Sequence, residues 1–173
     1  MSIETKVLAA CLGKSERAPP VKKVLAALGI ERVPPPKKER WKGFGSPVTV
    51  LNGWAQVRVP RQGVTLEFDF PEDREGFTER PLSHKGPRSV TRVVLHAAGR
   101  VDGKRFDAYR APLLLGWTLT EPLEALRSKA KAERKAYARG PGKTPDSIRL
   151  GKVCFVIYRK KANGFAERVV LER

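Results

Sequence analysis

The sequence predicts an α+β fold in which one antiparallel sheet carries helices on one face. Several strand-like runs follow each helix-like segment, which is the order expected when strands pair with their chain neighbours. Two similar phrases, VTRVVL at residues 90–95 and AERVVL at residues 166–171, end the two halves of the chain. We therefore predict a single domain over residues 1–173 that arose by a degenerate duplication, with halves of about residues 1–110 and 111–173.

The first half opens with helical patterns. Residues 3–12 predict a short helix that ends at Gly13. Residues 18–29 predict a clearer helix, since two prolines stand in its first turn, apolar residues recur at helical spacing and Gly29 follows as a stop. Residues 33–40 are rich in proline and cations, which predicts a surface connection that is neither helix nor inner strand.

Strands are predicted at residues 47–51, 55–59, 64–70 and 90–97, with a further short strand at 105–109. The run 64–70 alternates, which predicts a half-buried strand with one apolar and one polar face. The apolar face holds Val64, Leu66, Phe68 and Phe70, and the polar face holds Thr65, Glu67 and Asp69. Residues 71–88 predict a long exposed loop.

The second half predicts one helix and a closing hairpin. Thr120 is the expected N-cap of a helix that begins with an apolar stripe, continues as a basic stretch to Arg139 and ends at Gly140. Residues 152–158 and 165–171 predict a hairpin around an Asn-Gly turn. Trp54 and Trp117 each stand in an apolar stretch, which predicts that both pack in the core.

The charge is the outstanding feature of the composition. The chain has 35 Lys and Arg against 18 Asp and Glu, a formal net charge of +17. Such a charge favours nucleic acid, anionic lipid or an acidic protein surface as a partner and speeds the encounter. The alternative is a solvated basic surface that only keeps the protein soluble.

The cysteines and the apolar runs predict a cytoplasmic protein without a membrane segment. Cys11 and Cys154 lie far apart with no metal-binding spacing, so we expect two buried thiols in a reducing compartment. Residues 8–11 look like a lipoprotein cleavage box, but Glu4 and Lys6 interrupt the short apolar run before it. No run approaches the ~20 apolar residues of a membrane span.

No known catalytic motif is present, so we expect a chain that is not an enzyme and needs no cofactor or metal. His84 lies among cations, where it is either the general base of a ribonuclease-like site or a solvated loop residue. His96, in a strand, is expected to be structural. Glu67 and Asp69 are either an acid/base pair or, as we favour, partners of cross-strand cations.

Basic stretches that include aromatic residues are the candidate partner-binding sites, because Trp, Tyr and Arg stack on bases and also anchor protein interfaces. We expect contacts from the first connection, the long loop and a cationic face of the second helix. These residues are Arg40, Trp41, Lys42, Arg74, Arg80, His84, Lys85, Lys131, Arg134, Lys135 and Tyr137.

Several of these segments resemble small bacterial immunity proteins, which accompany secreted polymorphic toxins, including type VI secretion effectors. In the first half the resemblance rests on LGK at residues 12–14, PVKKVLAALG at 20–29 and GVTLEF at 63–68. In the second half it rests on APLLLGWT at residues 111–118 with the helix that follows, and on residues 148–158 and 166–171. The long basic helix, the loop at 71–88 and the positive charge depart from the family's pattern.

The resemblance implies a cytoplasmic antitoxin of interbacterial competition that neutralises a cognate toxin by occluding its active site. With this charge, the toxin is expected to present an acidic surface, which makes a nuclease target less fitting. The alternative from another class is a basic nucleic-acid-binding protein. A third alternative is a ribonuclease-type toxin centred on His84.

Overall fold

The computed structural model describes residues 3–41, 48–70, 86–160 and 164–173. Three helices lie in this part of the chain: α1 (Thr5–Ala9), α2 (Pro19–Ala27) and α3 (Leu123–Ala132). The strands are β1 (Lys37–Trp41), β2 (Val48–Asn52), β3 (Ala55–Val59), β4 (Val64–Asp69), β5 (Ser89–His96), β6 (Gly99–Val101), β7 (Lys104–Phe106), β8 (Tyr137–Ala138), β9 (Asp146–Leu150), β10 (Val153–Arg159) and β11 (Ala166–Glu172).

Seven of these strands form one antiparallel sheet in the order β3-β4-β5-β11-β10-β9-β8. The hairpins β1–β2 and β6–β7 form two separate small sheets. Three strands follow α2 into the sheet, and three long strands with the short β8 follow α3. Each half therefore contributes a meander, and the two meanders meet at β5 and β11.

The contact between the meanders has two-fold register. Val94 pairs with Val170, while Val93 pairs with Leu171 and Leu95 with Val169. Val94 and Val170 hold the same place in the two phrases ending VVL, so the pairing is unchanged when the halves are exchanged. This is the arrangement that a duplicated helix-and-meander unit would produce.

One hydrophobic core lies between the helices and a single face of the sheet. Leu8, Val24 and Leu126 from the three helices belong to the same buried cluster as Leu66 and Val169 from the sheet. Trp117 is also fully buried in it. The predicted α+β fold with helices on one face of an antiparallel sheet is confirmed.

The N-terminal segment is tied to the sheet by buried polar contacts. Arg88, 2% exposed, forms an ion pair of 2.8 Å with Glu16 and donates to the carbonyl of Gly53. The predicted exposed loop over residues 71–88 is therefore wrong at Arg88, while residues 71–85 lie outside the described part. A cation this buried needs paired acceptors, and Gly53 and Glu16 provide them for its two Nη groups.

The polar face of β4 is partly covered. Thr65, predicted to face solvent, is 3% exposed and lies 3.0 Å from the ring nitrogen Nε2 of His96. The β6–β7 hairpin places Phe106 against that histidine, with ring centroids 4.4 Å apart. This hairpin excludes water from one end of the outer face, which explains the departure from the alternating pattern.

Two other predictions differ from the structure at chain turns. Residues 37–41 form β1, although not an inner strand, because they pair only with β2. Trp54, predicted to be in the core, is 51% exposed in the turn between β2 and β3. Its neighbour Ala55 takes the inward position in the first pair of β3, opposite the buried Phe68.

The second helix is shorter than predicted. Pro122, not Thr120, is its N-cap, and it ends at Ala132 instead of reaching Arg139. The amides of Arg134 and Lys135 donate to the carbonyls of Lys131 and Ala130, a Schellman ending in which Arg134 has φ 53°. Ala130 is the last buried residue of α3, and the exposed residues 131–136 that follow it have no apolar stripe to continue the helix along the core.

Candidate functional site

The carboxylate of Asp146 organises the loop between β8 and β9. Asp146 is fully buried at the start of β9 and accepts hydrogen bonds from the hydroxyl of Tyr137 at 2.6 Å and the amide of Gly140 at 3.0 Å. Its oxygens also lie 3.1 Å from Nη2 of Arg127 and 3.5 Å from Nε of Arg159. Two groups of the preceding loop segment, Tyr137 and Gly140, thus meet Arg127 of α3 and Arg159 of β10 at one buried charge.

The electrostatics of this cluster favour the charged forms of Asp146 and Arg127. Burial by itself would raise the pKa of Asp146, but hydrogen bonds from Tyr137, Arg127 and Gly140 outweigh burial and lower it. Burial opposes the charge of Arg127, yet the hydrogen bond to Asp146 raises the pKa of this guanidinium. Burial and the bond to Asp146 raise the pKa of Tyr137, so it remains a neutral donor.

Arg159 fixes the rest of the loop. Its Nη2 atom donates to the carbonyls of Gly140, Gly142 and Thr144, each at 2.8 Å. Gly140 has no room for a side chain, because a Cβ there would lie 2.3 Å from the carbonyl oxygens of Thr144 and Pro145. The loop is therefore a rigid turn that wraps around one guanidinium.

A cleft of about 820 Å³ opens beside this cluster, between the start of α3, the loop 139–145 and the facing ends of β10 and β11. Five cations line it: Arg127, Arg139, Lys143, Arg159 and Lys160. Tyr158, Glu124 and Glu167 also line it. We refer to this cleft, with its five cations, as the cationic cleft.

The cations of the cleft are of two kinds. Arg127 and Arg159 are held in place by Asp146 and by backbone carbonyls, with side chains 24% and 23% exposed. Arg139, Lys143 and Lys160 are exposed, and in the described residues no carboxylate lies within ion-pair distance of them. The cleft thus combines preorganised guanidinium groups with cations that are free to meet an anionic group.

A smaller cleft of about 560 Å³ adjoins the first and shares Lys160 and Glu167 with it. Arg100 and Arg168 add two more cations there. Arg168 stacks on the ring of Tyr158, 4.3 Å from its centroid, so its planar face is held against that ring. The positive surface therefore extends past Lys160 toward the β6–β7 hairpin.

Of the predicted contact residues that the structure describes, one lies in this region. Tyr137 belongs to the Asp146 cluster, where it is half-buried and serves the loop. Lys131, Arg134 and Lys135 are exposed, but they do not share a helix face because α3 ends at Ala132. The cationic helix face with Tyr137 near its end is therefore wrong.

Two further predicted contact residues lie on the β1–β2 hairpin. Arg40 is exposed on β1, and Trp41 is the last residue of that strand. Five more residues fall outside the described part of the chain, namely Lys42, Arg74, Arg80, His84 and Lys85.

Sequence reasoning missed the cationic cleft because its members lie far apart in the chain. The GKT triplet at residues 142–144 is the single local signal, yet it lacks the leading glycine of a phosphate-binding P-loop and leads into β9 instead of a helix. The exposure of Trp54 was not predicted, because the residues beside it in the sequence are apolar.

No family model, curated protein or solved structure matches this chain. Each helix in the described residues is too short or too polar to cross a bilayer. In the same residues, no group of three or more His, Cys, Asp or Glu side chains is placed to hold a metal ion.

Proposed function

We propose that this chain is an immunity protein of the cytoplasm that binds a cognate toxin through the cationic cleft and occludes its active site. The resemblance in segments of both halves supports the antitoxin role. The observation that supports this binding surface is the cleft itself, where the exposed Arg139, Lys143 and Lys160 line the same cavity as two immobilised arginines.

The composition of the cleft favours a protein partner over a phosphate chain. Glu124 and Glu167 line the same cleft as the five cations. These carboxylates would repel a polyphosphate backbone, whereas a protein surface of mixed charge can match both signs. Arg127 and Arg159 lose little side-chain entropy on binding because the Asp146 cluster already holds them.

The toxin side of the interface follows from these charges. A carboxylate-rich rim on the toxin would meet Arg139, Lys143 and Lys160, and their charge would mainly accelerate association. The affinity would come from a few groups of the cleft that lose water in the complex, with Tyr158 as the aromatic residue of its lining.

Affinity purification from the native host tests this proposal. The tagged chain is isolated at ~0.15 M and ~0.5 M salt after nuclease treatment, since surface charges are screened far more strongly at the higher salt. We expect one stoichiometric protein that is retained at both salts and that inhibits growth when expressed without this chain. Failure of co-expressed chain to restore growth would contradict the proposal.

A second function, nucleic-acid binding, is favoured by the β1–β2 hairpin. Lys37, Lys38 and Arg40 are exposed along β1, and two-stranded ribbons of this kind fit the major groove. This function predicts a linear fall of log affinity with log salt, with a slope of about 0.9 for each phosphate contact on duplex DNA. Titration of labelled duplex DNA with the chain at several salt concentrations measures that slope.

A further inference from the structure

The two edges of the seven-stranded sheet are protected unequally. β8 forms one edge with only two residues, Tyr137 and Ala138, and is too short to template another strand. β3 forms the other edge with five residues and pairs with β4 without a register shift. It contains no proline or bulge, which are common means of blocking an edge, and its one charged residue, Arg58, is paired with Asp102.

The backbone groups that face outward from β3 can be assigned from the sheet register. The amide of His96 donates to the carbonyl of Gly63, so Gly63 directs its backbone groups toward β5. Backbone groups alternate sides along a strand, hence Val64 points toward β3 and pairs with Val59. Because Val59 and Val57 direct their backbone groups toward β4, the alternate residues Arg58 and Gln56 direct their N–H and C=O groups away from β4.

Those four backbone groups are open in the described part of the chain. No hydrogen bond from a described backbone or side-chain group reaches the N–H or C=O of Gln56 or Arg58. Two donors and two acceptors therefore line the free side of β3 at the spacing that an added strand requires.

The side chains beside this edge indicate what kind of strand fits. Trp54, Gln56 and Arg58 alternate onto the outer face of the sheet, and Trp54 is 51% exposed. The guanidinium of Arg58 is fixed by the carboxylate of Asp102 at 2.6 Å and by Oε1 of Gln56 at 2.7 Å. An added strand would thus meet an aromatic surface at one end and a positioned cation four residues later.

The net charge of the chain favours an acidic segment over a second copy of the chain as the strand that pairs with β3. Pairing of β3 with β3 of a second copy would bring together two chains of formal charge +17 each, and that repulsion opposes self-association. An acidic segment gains from the same field.

We propose that the free edge of β3 binds an extended acidic segment of a partner protein by β-strand addition. Its backbone pairs with Gln56 and Arg58, an apolar side chain covers Trp54 and a carboxylate approaches Arg58. This edge is separate from the cationic cleft, and the inference does not require that the partner be a toxin.

A synthetic peptide tests the edge without a known partner. The probe is a capped eight-residue peptide of alternating Val and Thr with two Glu residues, and its control carries N-methyl groups on alternate amides. N-methylation keeps the side chains and the charge but removes backbone donors. The readout is amide hydrogen exchange by NMR on the full chain.

Saturating peptide is expected to slow exchange of the Gln56 and Arg58 amides by at least about tenfold, because backbone pairing protects amides. The exchange rate of the Val57 amide, which already faces β4, should not change.

A matched pair of variants separates the backbone from the side chain. Gln56→Pro removes the outward N–H, and Gln56→Ala removes only the side chain. The proline variant should bind the peptide at least about tenfold more weakly than the alanine variant, which checks the strand-addition mode.

Three outcomes would overturn the inference. The first is that the Gln56 and Arg58 amides show no slower exchange up to millimolar peptide. The second is that the N-methylated control binds as tightly as the probe. The third is that these amides are already protected without peptide because the chain forms a dimer. Circular dichroism and melting curves of both variants establish that weaker binding by Gln56→Pro is not loss of the fold. If the proline variant is unfolded, the N-methylated peptide alone decides.

Discussion

The guanidinium of Arg127 and the carboxylate of Asp146 form an ion pair of 3.1 Å in which the carboxylate is fully buried. This contact joins α3 to β9 across 19 residues and sets one wall of the cationic cleft. The same carboxylate holds Tyr137, Gly140 and Arg159. The shape of the cleft therefore depends on a group that a partner cannot touch.

Asp146→Asn should destabilise the chain and disorder the loop 139–145. Removal of one member of a buried ion pair leaves the other charge unmatched, so we expect a loss of roughly 3–5 kcal/mol in the free energy of unfolding. Tyr137→Phe removes one hydrogen bond to Asp146 and should cost about 1 kcal/mol. Urea denaturation measures both, and equal stability of Asp146→Asn and the wild type would contradict this role.

The Asp146 cluster also predicts an acid limit of stability. The pKa of Asp146 is lower in the folded chain than its ordinary value of 3.8. A depressed carboxyl pKa stabilises the fold above the unfolded pKa, and that contribution disappears as pH falls below about 4. The loss of stability below pH 4 should therefore be smaller in Asp146→Asn than in the wild type, as urea titrations at pH 3–6 would measure.

His96 predicts a second pH dependence at higher pH. Burial, assisted by the charges of Arg168 and Arg58, lowers its pKa from 6.5 to about 4. Because the folded chain resists protonation of His96, the free energy of unfolding is highest above pH 6.5. It falls by up to roughly 3 kcal/mol as the pH drops toward 4. His96→Gln should flatten this dependence.

The matched control for His96 is His84→Gln, since the chain has two histidines. Stability curves from pH 4 to 7 are compared for the wild type and both variants. A slope in His96→Gln as steep as in the wild type would contradict the assignment of this dependence to His96.

The two thiols should differ in reactivity. Cys11 is fully buried, and burial raises its pKa to about 11, whereas Cys154 is half-buried. A thiol reacts as the thiolate, so we expect one reactive cysteine in the native chain and two after unfolding. Titration with a chromogenic disulfide reagent, followed by mass mapping, checks this, and rapid native labelling of Cys11 would contradict it.

The buried pair between Arg88 and Glu16 should matter more than any surface ion pair. Arg88→Ala leaves Glu16 without its partner in a poorly solvated place and should cost roughly 3–5 kcal/mol. Arg92→Ala removes a comparable pair with Glu172, but Arg92 is 56% exposed, and the cost should stay below about 1 kcal/mol. Thermal melts of the two variants compare them directly, and equal losses would contradict the difference.

Local chemistry explains which helix ends could be predicted from the sequence. α2 ends where Gly29 takes φ +72°, a conformation that glycine accepts without strain. α3 ends by the same hydrogen-bond pattern, but Arg134 takes the left-handed position. Nothing in the local sequence marks that arginine, so the sequence predicted a longer helix.

Burial that depends on distant segments could not be predicted either. Thr65 alternates as a polar residue, yet His96 of β5 contacts it, and Phe106 of the β6–β7 hairpin packs on that histidine. The cationic cleft depends on Asp146 meeting Arg127 and Arg159 from three separate elements. Periodicity predicts faces within a strand but does not show which segment covers them.

The most direct measurement of the central claim is the affinity of the partner from the host for two charge-reversed variants. One carries Arg139→Glu and Lys143→Glu in the cationic cleft, and the control carries Lys22→Glu and Lys23→Glu on the exposed side of α2. Both variants change the net charge equally. We predict that the cleft variant loses at least about a hundredfold in affinity while the control loses less than about tenfold, since only contacts in the interface are broken. Equal losses would mean that the charge acts as a diffuse field, and they would contradict recognition of an acidic partner by the cleft.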